Sequence, residues 1–312
     1  MTITPLEGRV YQLIPGFQSH LYTELNNAGE LLSPHLYFAK EVKGPVYWAQ
    51  NIWLEPFKLS FESISEAAKA LVSIQRNWSG TFHTLHRRGA LIQDQLPALS
   101  SKPKPFPWLL PEAPMGSWTL LDKNTIIASA QTSSPFPSGV IEFEEDKQGP
   151  PSRAYLKLWE ALVLARTWPK TGEHCIDAGA SPGGWTWVLA SLGAPVLAID
   201  RAPLDENIAG LPGVSYMKHD AFTLKPAELG KTDWLFSDVI SYPDRLYEWI
   251  DQWLQSGLCK NFVCTVKMQG PAMEDGQIFA AASRFASIPG SVLVHLYHNK
   301  HELTWIKLQN KE

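Results

Sequence analysis

From Ser152 onward the chain repeats one unit: a short apolar run, a polar residue closing it, then a helix-length stretch. The runs are EHCIDAG, APVLAID, GVSYMKHD, TDWLFSD and NFVCTVK. Apolar runs of this length alternating with helical patterns predict parallel strands joined by crossover helices, an α/β layer. A helix over SRAYLKLWEALVLARTW precedes the first run. SVLVHLYHN and ELTWIKL, flanking Lys300, read as an antiparallel hairpin that finishes the sheet.

The residues before Ser152 follow another pattern. GRVYQLIPG, PHLYFAKEV and PVYWAQNIW read as strands, FQSHLYTELNN as helix, and SISEAAKALVSIQRNW as an amphipathic helix. This order predicts one small antiparallel sheet with helices on one face, an α+β arrangement. FHTLHRRGALIQDQLPALSS suits a helix, KPKPFPWLLPEAP holds too much proline for regular structure, and GSWTLLDKNTIIASAQTS reads as a hairpin around Asp122-Lys123-Asn124. The acidic run EFEEDKQGPP, residues 142–151, marks the boundary.

Bulk charge narrows the function classes. The 27 Lys and Arg against 31 Asp and Glu give a net charge of −4, spread over both halves. A nucleic-acid surface must therefore be a local patch rather than a basic domain. Three cysteines in no metal-ligand spacing predict no metal centre, and Cys175 and Cys264, inside apolar runs, read as buried thiols. No apolar run approaches the ~20 residues of a membrane span, and MTITPLEGRVYQL lacks the regions of a signal peptide. A cytoplasmic protein without a membrane partner is expected.

The strand ends carry Asp177, Asp200, Asp220, Asp238 and Lys267. Open α/β sheets bind ligands beyond the carboxyl ends of their parallel strands, so these five converge on one rim. Any one alone is compatible with a solvated charge. The loop after the first strand, GASPGGWT, lacks the lysine of a P-loop and the G-x-G-x-x-G spacing of a dinucleotide fingerprint. It offers close backbone approach instead, with Asp177 at its entrance to meet a cation. Asp200, at the end of the next strand, stands where dinucleotide folds place a ribose-holding acid. Asp220 is suited to an adenine edge. A cation, a ribose and no required phosphate describe S-adenosylmethionine.

DAGASPGGWT resembles the first motif of the FtsJ/RrmJ-type RNA ribose 2′-O-methyltransferases, a Rossmann-like family with a Lys-Asp-Lys-Glu catalytic set. The resemblance gives Lys157 in PSRAYLKLWEA, Asp238 in WLFSDV, Lys267 in FVCTVKM and Glu302 in HNKHELTWIKL, in family order. It assigns cofactor binding to Ser152, Asp177, Gly179, Ser181, Pro182, Gly183, Gly184, Trp185, Asp200, Asp220 and Asp238. Within the family the chain is most similar to the RlmM-like type, which acts on large-subunit ribosomal RNA. That likeness implies a ferredoxin-like region over 1–60, a shortened THUMP-like RNA-binding region over 61–147 and the methyltransferase domain over 148–312. It implies 2′-O-methylation of a 23S cytidine.

Such chemistry asks a base to take the hydroxyl proton as the oxygen attacks a sulfonium methyl. A lysine serves only if its pKa falls from about 10.4 toward neutrality, and a second ammonium nearby supplies that push. Lys267 is assigned as base, oriented by Asp238, with Lys157 as the neighbouring charge and Glu302 holding Lys157 or the hydroxyl. Arg153, Lys157, Arg87, Arg88, Lys102 and Lys104 are the basic residues available for phosphates. Trp185, Trp187, Tyr242 and Trp108 are available for stacking on an unpaired base. The alternatives are another RNA acceptor, such as transfer RNA or a messenger cap, and a nonenzymatic RNA-binding factor on the same fold.

Overall fold

The computed structural model describes residues 1–40, 44–100, 102–268 and 275–309. The chain divides into two compact units, one of Met1–Lys104 with Leu110–Glu142, the other of Pro105–Leu109 with Phe143–Glu312.

The first unit holds β1 (Thr2–Pro5), β2 (Arg9–Leu13), α1 (Gln18–Glu24), β3 (Glu30–Ser33), β4 (Leu36–Ala39), β5 (Ala49–Trp53), β6 (Pro56–Ser60), α2 (Ile64–Ile74), β7 (Trp78–Gly80), α3 (His86–Gln93), β8 (Gly116–Asp122) and β9 (Thr125–Ser129). These form two sheets where one was expected, in the orders β3-β4-β2-β5 and β1-β6-β9-β8-β7. The strands that the sequence left unread are β1, β3, β6 and β7. β1 is wholly exposed and carries its proline on a sheet edge, where a missing N–H costs no ladder bond. β6 opens on Pro56 and pairs with β9, far along the chain.

Alternation along β9 joins the layers. Ile126 packs with Leu71, Trp78 and Trp118 against the helical side, while Ile127 faces Val10, Leu36 and Trp53. The division expected at residue 60 therefore runs through one sheet, since β1 and β6 share it with β7, β8 and β9. α2 starts where Ser63 accepts the Glu66 N–H at 3.2 Å, an N-cap.

The second unit holds α4 (Tyr155–Leu164), β10 (Cys175–Ala178), α5 (Gly184–Ser191), β11 (Val196–Asp200), α6 (Glu206–Ala209), β12 (Val214–Lys218), α7 (Pro226–Leu229), β13 (Thr232–Ser237), α8 (Pro243–Ser256), β14 (Cys259–Lys267), α9 (Asp275–Ala286), β15 (Ser291–Val294) and β16 (Glu302–Lys307). Its seven-stranded sheet runs β12-β11-β10-β13-β14-β16-β15. β10 through β14 are parallel, and β16 inserts antiparallel between β14 and β15. The expected Rossmann-like sheet with its antiparallel finish is the one observed. β10 is buried throughout, as a parallel strand covered on both faces must be. α8 buries Leu246, Trp249, Ile250 and Trp253, an i, i+3, i+4, i+7 stripe, and stops where Gly257 takes φ +62°.

The strand order reverses between β10 and β13. The segments after those two strands, beginning at Gly179 and Asp238, flank the crevice that such a reversal opens. Among the described residues, no helix is long and apolar enough to cross a membrane.

Candidate active site

Three neighbouring strands and one helix bring the four candidate catalytic residues together. Lys267 ends β14 and Glu302 begins β16, directly opposite in the antiparallel register. Asp238 follows Ser237, which pairs with Cys264 of β14. Lys157 comes from α4, whose residues Tyr155 to Val163 are all buried.

The result is a closed ring of alternating charge. Lys157 Nζ lies 3.1 Å from Asp238 Oδ1 and 2.6 Å from Glu302 Oε1. Lys267 Nζ lies 2.6 Å from Asp238 Oδ1 and 2.6 Å from Glu302 Oε2. Two ammonium and two carboxylate groups cancel, which is what allows four ionised groups to share a buried place. Lys157, Lys267 and Glu302 are each under 9% exposed.

The electrostatics run against the expectation for Lys267. Burial opposes its charge, but Asp238 and Glu302 together outweigh burial, and its pKa is raised. Burial likewise works against ionised Asp238 and Glu302, and the two lysines overcome it, holding both carboxyls below their ordinary range. The expectation counted the like charge of Lys157 and gave the two carboxylates too little weight. Each is as close to Lys267 as a strong charge-assisted hydrogen bond allows.

The cofactor candidates line the adjoining loop. Gly179 has φ +81°, and a Cβ there would meet Val239 Cγ2 at 2.3 Å; Gly183 has φ +119° and the same lack of room against Ile208. A Cβ on Gly184 would lie 2.8 Å from Ser152 Oγ, so Ser152 sits at the start of α5. Asp200 accepts the N–H groups of Ser181 at 3.0 Å and Ala202 at 2.9 Å. Asp220 accepts from Phe222 N and Arg245 Nη2; burial raises its pKa, but Arg245 and that N–H outweigh it and lower it. A carboxylate accepts about four hydrogen bonds, so both acids keep capacity for ligand hydroxyl or amino groups. Close backbone, two partly free acids at successive strand ends and a buried acid with an unpartnered oxygen fit S-adenosylmethionine.

Asp177 does not stand at an open entrance. It is 1% exposed, its Oδ2 accepts Thr186 Oγ1 at 2.6 Å, and its Oδ1 is buried without a partner. Burial pushes its pKa up to about 7, with Thr186 opposing and Asp238 and Asp200 adding to the rise. Trp185 is likewise buried, its indole N–H donated to Ala154 O at 3.0 Å, and has no face left for a base. Lys157, spent within the ring, is not a phosphate contact. Of the proposed stacking residues, Tyr242 is the most open, at 61% exposure. Thr186, Arg245 and Glu160 were not singled out from the sequence. Glu160 had a signal: it and Lys157 are the only charges in the otherwise apolar YLKLWEALVL.

Among the described residues, no group of three or more His, Cys, Asp or Glu could hold a metal ion.

Residues 150–301 match the family model described as FtsJ-like methyltransferase. The ribosomal RNA large subunit methyltransferase M of Halorhodospira halophila is 35% identical over 174 residues, 54% of this chain and 50% of the relative. Its namesake in Xanthomonas oryzae pv. oryzae is 28% identical over 257 residues, 78% of this chain and 70% of the relative. The chain thus spans about half the length of the first relative. Among solved structures, the Methanococcus jannaschii fibrillarin pre-rRNA processing protein aligns with a TM-score of 0.38 and 17% identity, over 50% of this chain and 75% of that one.

Proposed function

Residues 150–301 belong to the FtsJ-like methyltransferase family, and from that premise we propose that the chain is an S-adenosylmethionine-dependent RNA ribose 2′-O-methyltransferase acting on large-subunit ribosomal RNA, at a cytidine. The observation that carries the reading is the ring of Lys157, Asp238, Lys267 and Glu302, set beside the glycine loop at the switch point of the sheet. A set of two acids and two lysines suits proton transfer from a hydroxyl. The match to relatives named for large-subunit ribosomal RNA supports the choice of acceptor.

When bound, S-adenosylmethionine supplies an electrophilic methyl group on a cationic sulfur. Asp200 and Asp220 would hold its ribose and adenine, and the backbone of Gly179 to Gly184 would close on it, with Ser152 alongside. Lys267 is the base. At rest it is held as an ammonium, so it takes the hydroxyl proton only after releasing its own to solvent water. A ribose hydroxyl that enters the ring and claims one carboxylate removes part of the charge that keeps Lys267 protonated. Asp238 then orients Lys267, and Lys157 with Glu302 holds the oxygen. Alignment of oxygen and methyl supplies much of the remaining rate. The first unit, ferredoxin-like and THUMP-like in the proposed division, would hold the RNA, with Arg87 exposed and Arg88 half-buried over Phe61.

The test is methyl transfer from labelled S-adenosylmethionine to size-fractionated RNA from a strain lacking the protein. Label in the large-subunit fraction supports the reading. Label confined to transfer RNA or capped messenger RNA moves the acceptor. Cofactor binding without label in any fraction leaves the nonenzymatic alternative.

A further inference from the structure

We propose that Glu160 is a positioning residue for the charge ring, fixing the turn that carries Glu302 onto the helix that carries Lys157; this rests on the functional reading above. Glu160 lies three residues after Lys157 on α4 and is 2% exposed. Its carboxylate does not enter the ring. Oε1 accepts Tyr297 N at 2.8 Å, and Oε2 accepts His298 N at 3.0 Å and lies 2.7 Å from His298 Nδ1. Three contacts from one turn thus converge on one buried carboxylate.

That turn leads straight into Glu302 and is braced within itself. Asn299 and Thr304 exchange side-chain hydrogen bonds at 3.1 and 3.2 Å, Asn299 N donates to Leu296 O at 3.0 Å, and His295 Nε2 lies 2.9 Å from Lys300 O. A braced turn moves as a body, and Glu160 sets where that body sits relative to α4. The 2.6 Å contact between Lys157 and Glu302 closes the circuit. Glutamine at 160 would present one acceptor and one NH2 donor to the same converging N–H groups, leaving some of them unsatisfied. Displacement of a reacting group by about 1 Å costs about 100-fold in rate.

The experiment compares wild type, E160Q and V163A, the last removing buried apolar contact from the same helix while leaving the Glu160 carboxylate in place. In E160Q, kcat for RNA methylation should fall by about 10- to 100-fold, with KM for RNA and cofactor Kd within about threefold. V163A should keep kcat below its melting temperature. A second readout needs no activity: in protein labelled with 15N-lysine, the Lys157 ammonium signal should be protected from exchange in wild type and lost in E160Q. Equal kcat in E160Q and V163A, or an unchanged Lys157 signal in E160Q, overturns the proposal. If wild type methylates no RNA, the functional reading falls and the ammonium signal alone decides the role of Glu160. If E160Q does not fold, H298A replaces it. A smaller loss of kcat at unchanged KM, or a broadened Lys157 signal, supports the proposal, and neither overturns it.

Discussion

A residue's charge state here is set by what faces it rather than by its type. Asp238 and Glu302 raise the pKa of Lys267, so the neutral amine is scarce near pH 7. If Lys267 is the base, kcat/KM, which follows the free enzyme, rises with pH through the alkaline range, and a kcat/KM plateau beginning near pH 7 would contradict that role. The ring's stability follows by linkage. The raised Lys267 contributes fully below about pH 10.4, its unfolded value, and is lost as pH rises through the folded one. Asp238 and Glu302, both lowered, contribute above about pH 4 and are lost as pH falls through their folded values.

Asp177 has the opposite sign from the ring carboxylates. Its folded pKa of about 7 lies above the unfolded value, so the ionised side chain costs stability as pH rises from about 4 to about 7. The full shift corresponds to about 4 kcal/mol. Asp177→Asn, which still offers Thr186 an acceptor, should therefore be more stable than wild type at pH 8, with the gap narrowing toward pH 4. Urea unfolding at both pH values checks this, and a gap that widens on acidification would contradict it. The identities of the four ring residues were legible in the sequence. The direction of the Lys267 shift was not, because it depends on two distances that no spacing along the chain encodes.

At the scale of elements, the loop between β10 and α5 is the most constrained piece. Gly179→Ala combines an unfavourable φ of +81° with a Cβ driven against Val239. It should weaken cofactor binding by more than about 10-fold and cost about 1–3 kcal/mol of stability. Calorimetric titration with S-adenosylmethionine and thermal unfolding measure the two effects, and wild-type affinity would refute this account of the loop. Strand and helix signals were readable wherever one chemistry fills a whole run, as in CIDA of β10 or TDWLFS of β13. They failed at β1 and β6, where prolines and polar residues mask strands that exist because a distant partner offers its edge.

For the molecule as a whole, the change of pattern near residue 150 marked the second unit, and the structure divides the chain at Glu142 and Phe143. The sequence could not show that Pro105–Leu109 returns to that unit. The reason is local: Phe106 stacks on Trp159 with centroids 4.9 Å apart and planes 8° from parallel, a contact no nearby residue announces. Phe106→Ala in the full chain should therefore lower the melting temperature by a few degrees, about 1 kcal/mol or more being lost with the stack. An unchanged melting temperature would show that the stack adds nothing. If the ring promotes methyl transfer from S-adenosylmethionine to a ribose hydroxyl, the linkage that carries the methyl group shows it. Ribosomal RNA labelled by wild type and by K267A is digested with alkali. The account predicts label in alkali-resistant dinucleotides from wild type and none from the variant. Label released as mononucleotides, or undiminished label from K267A, would contradict it.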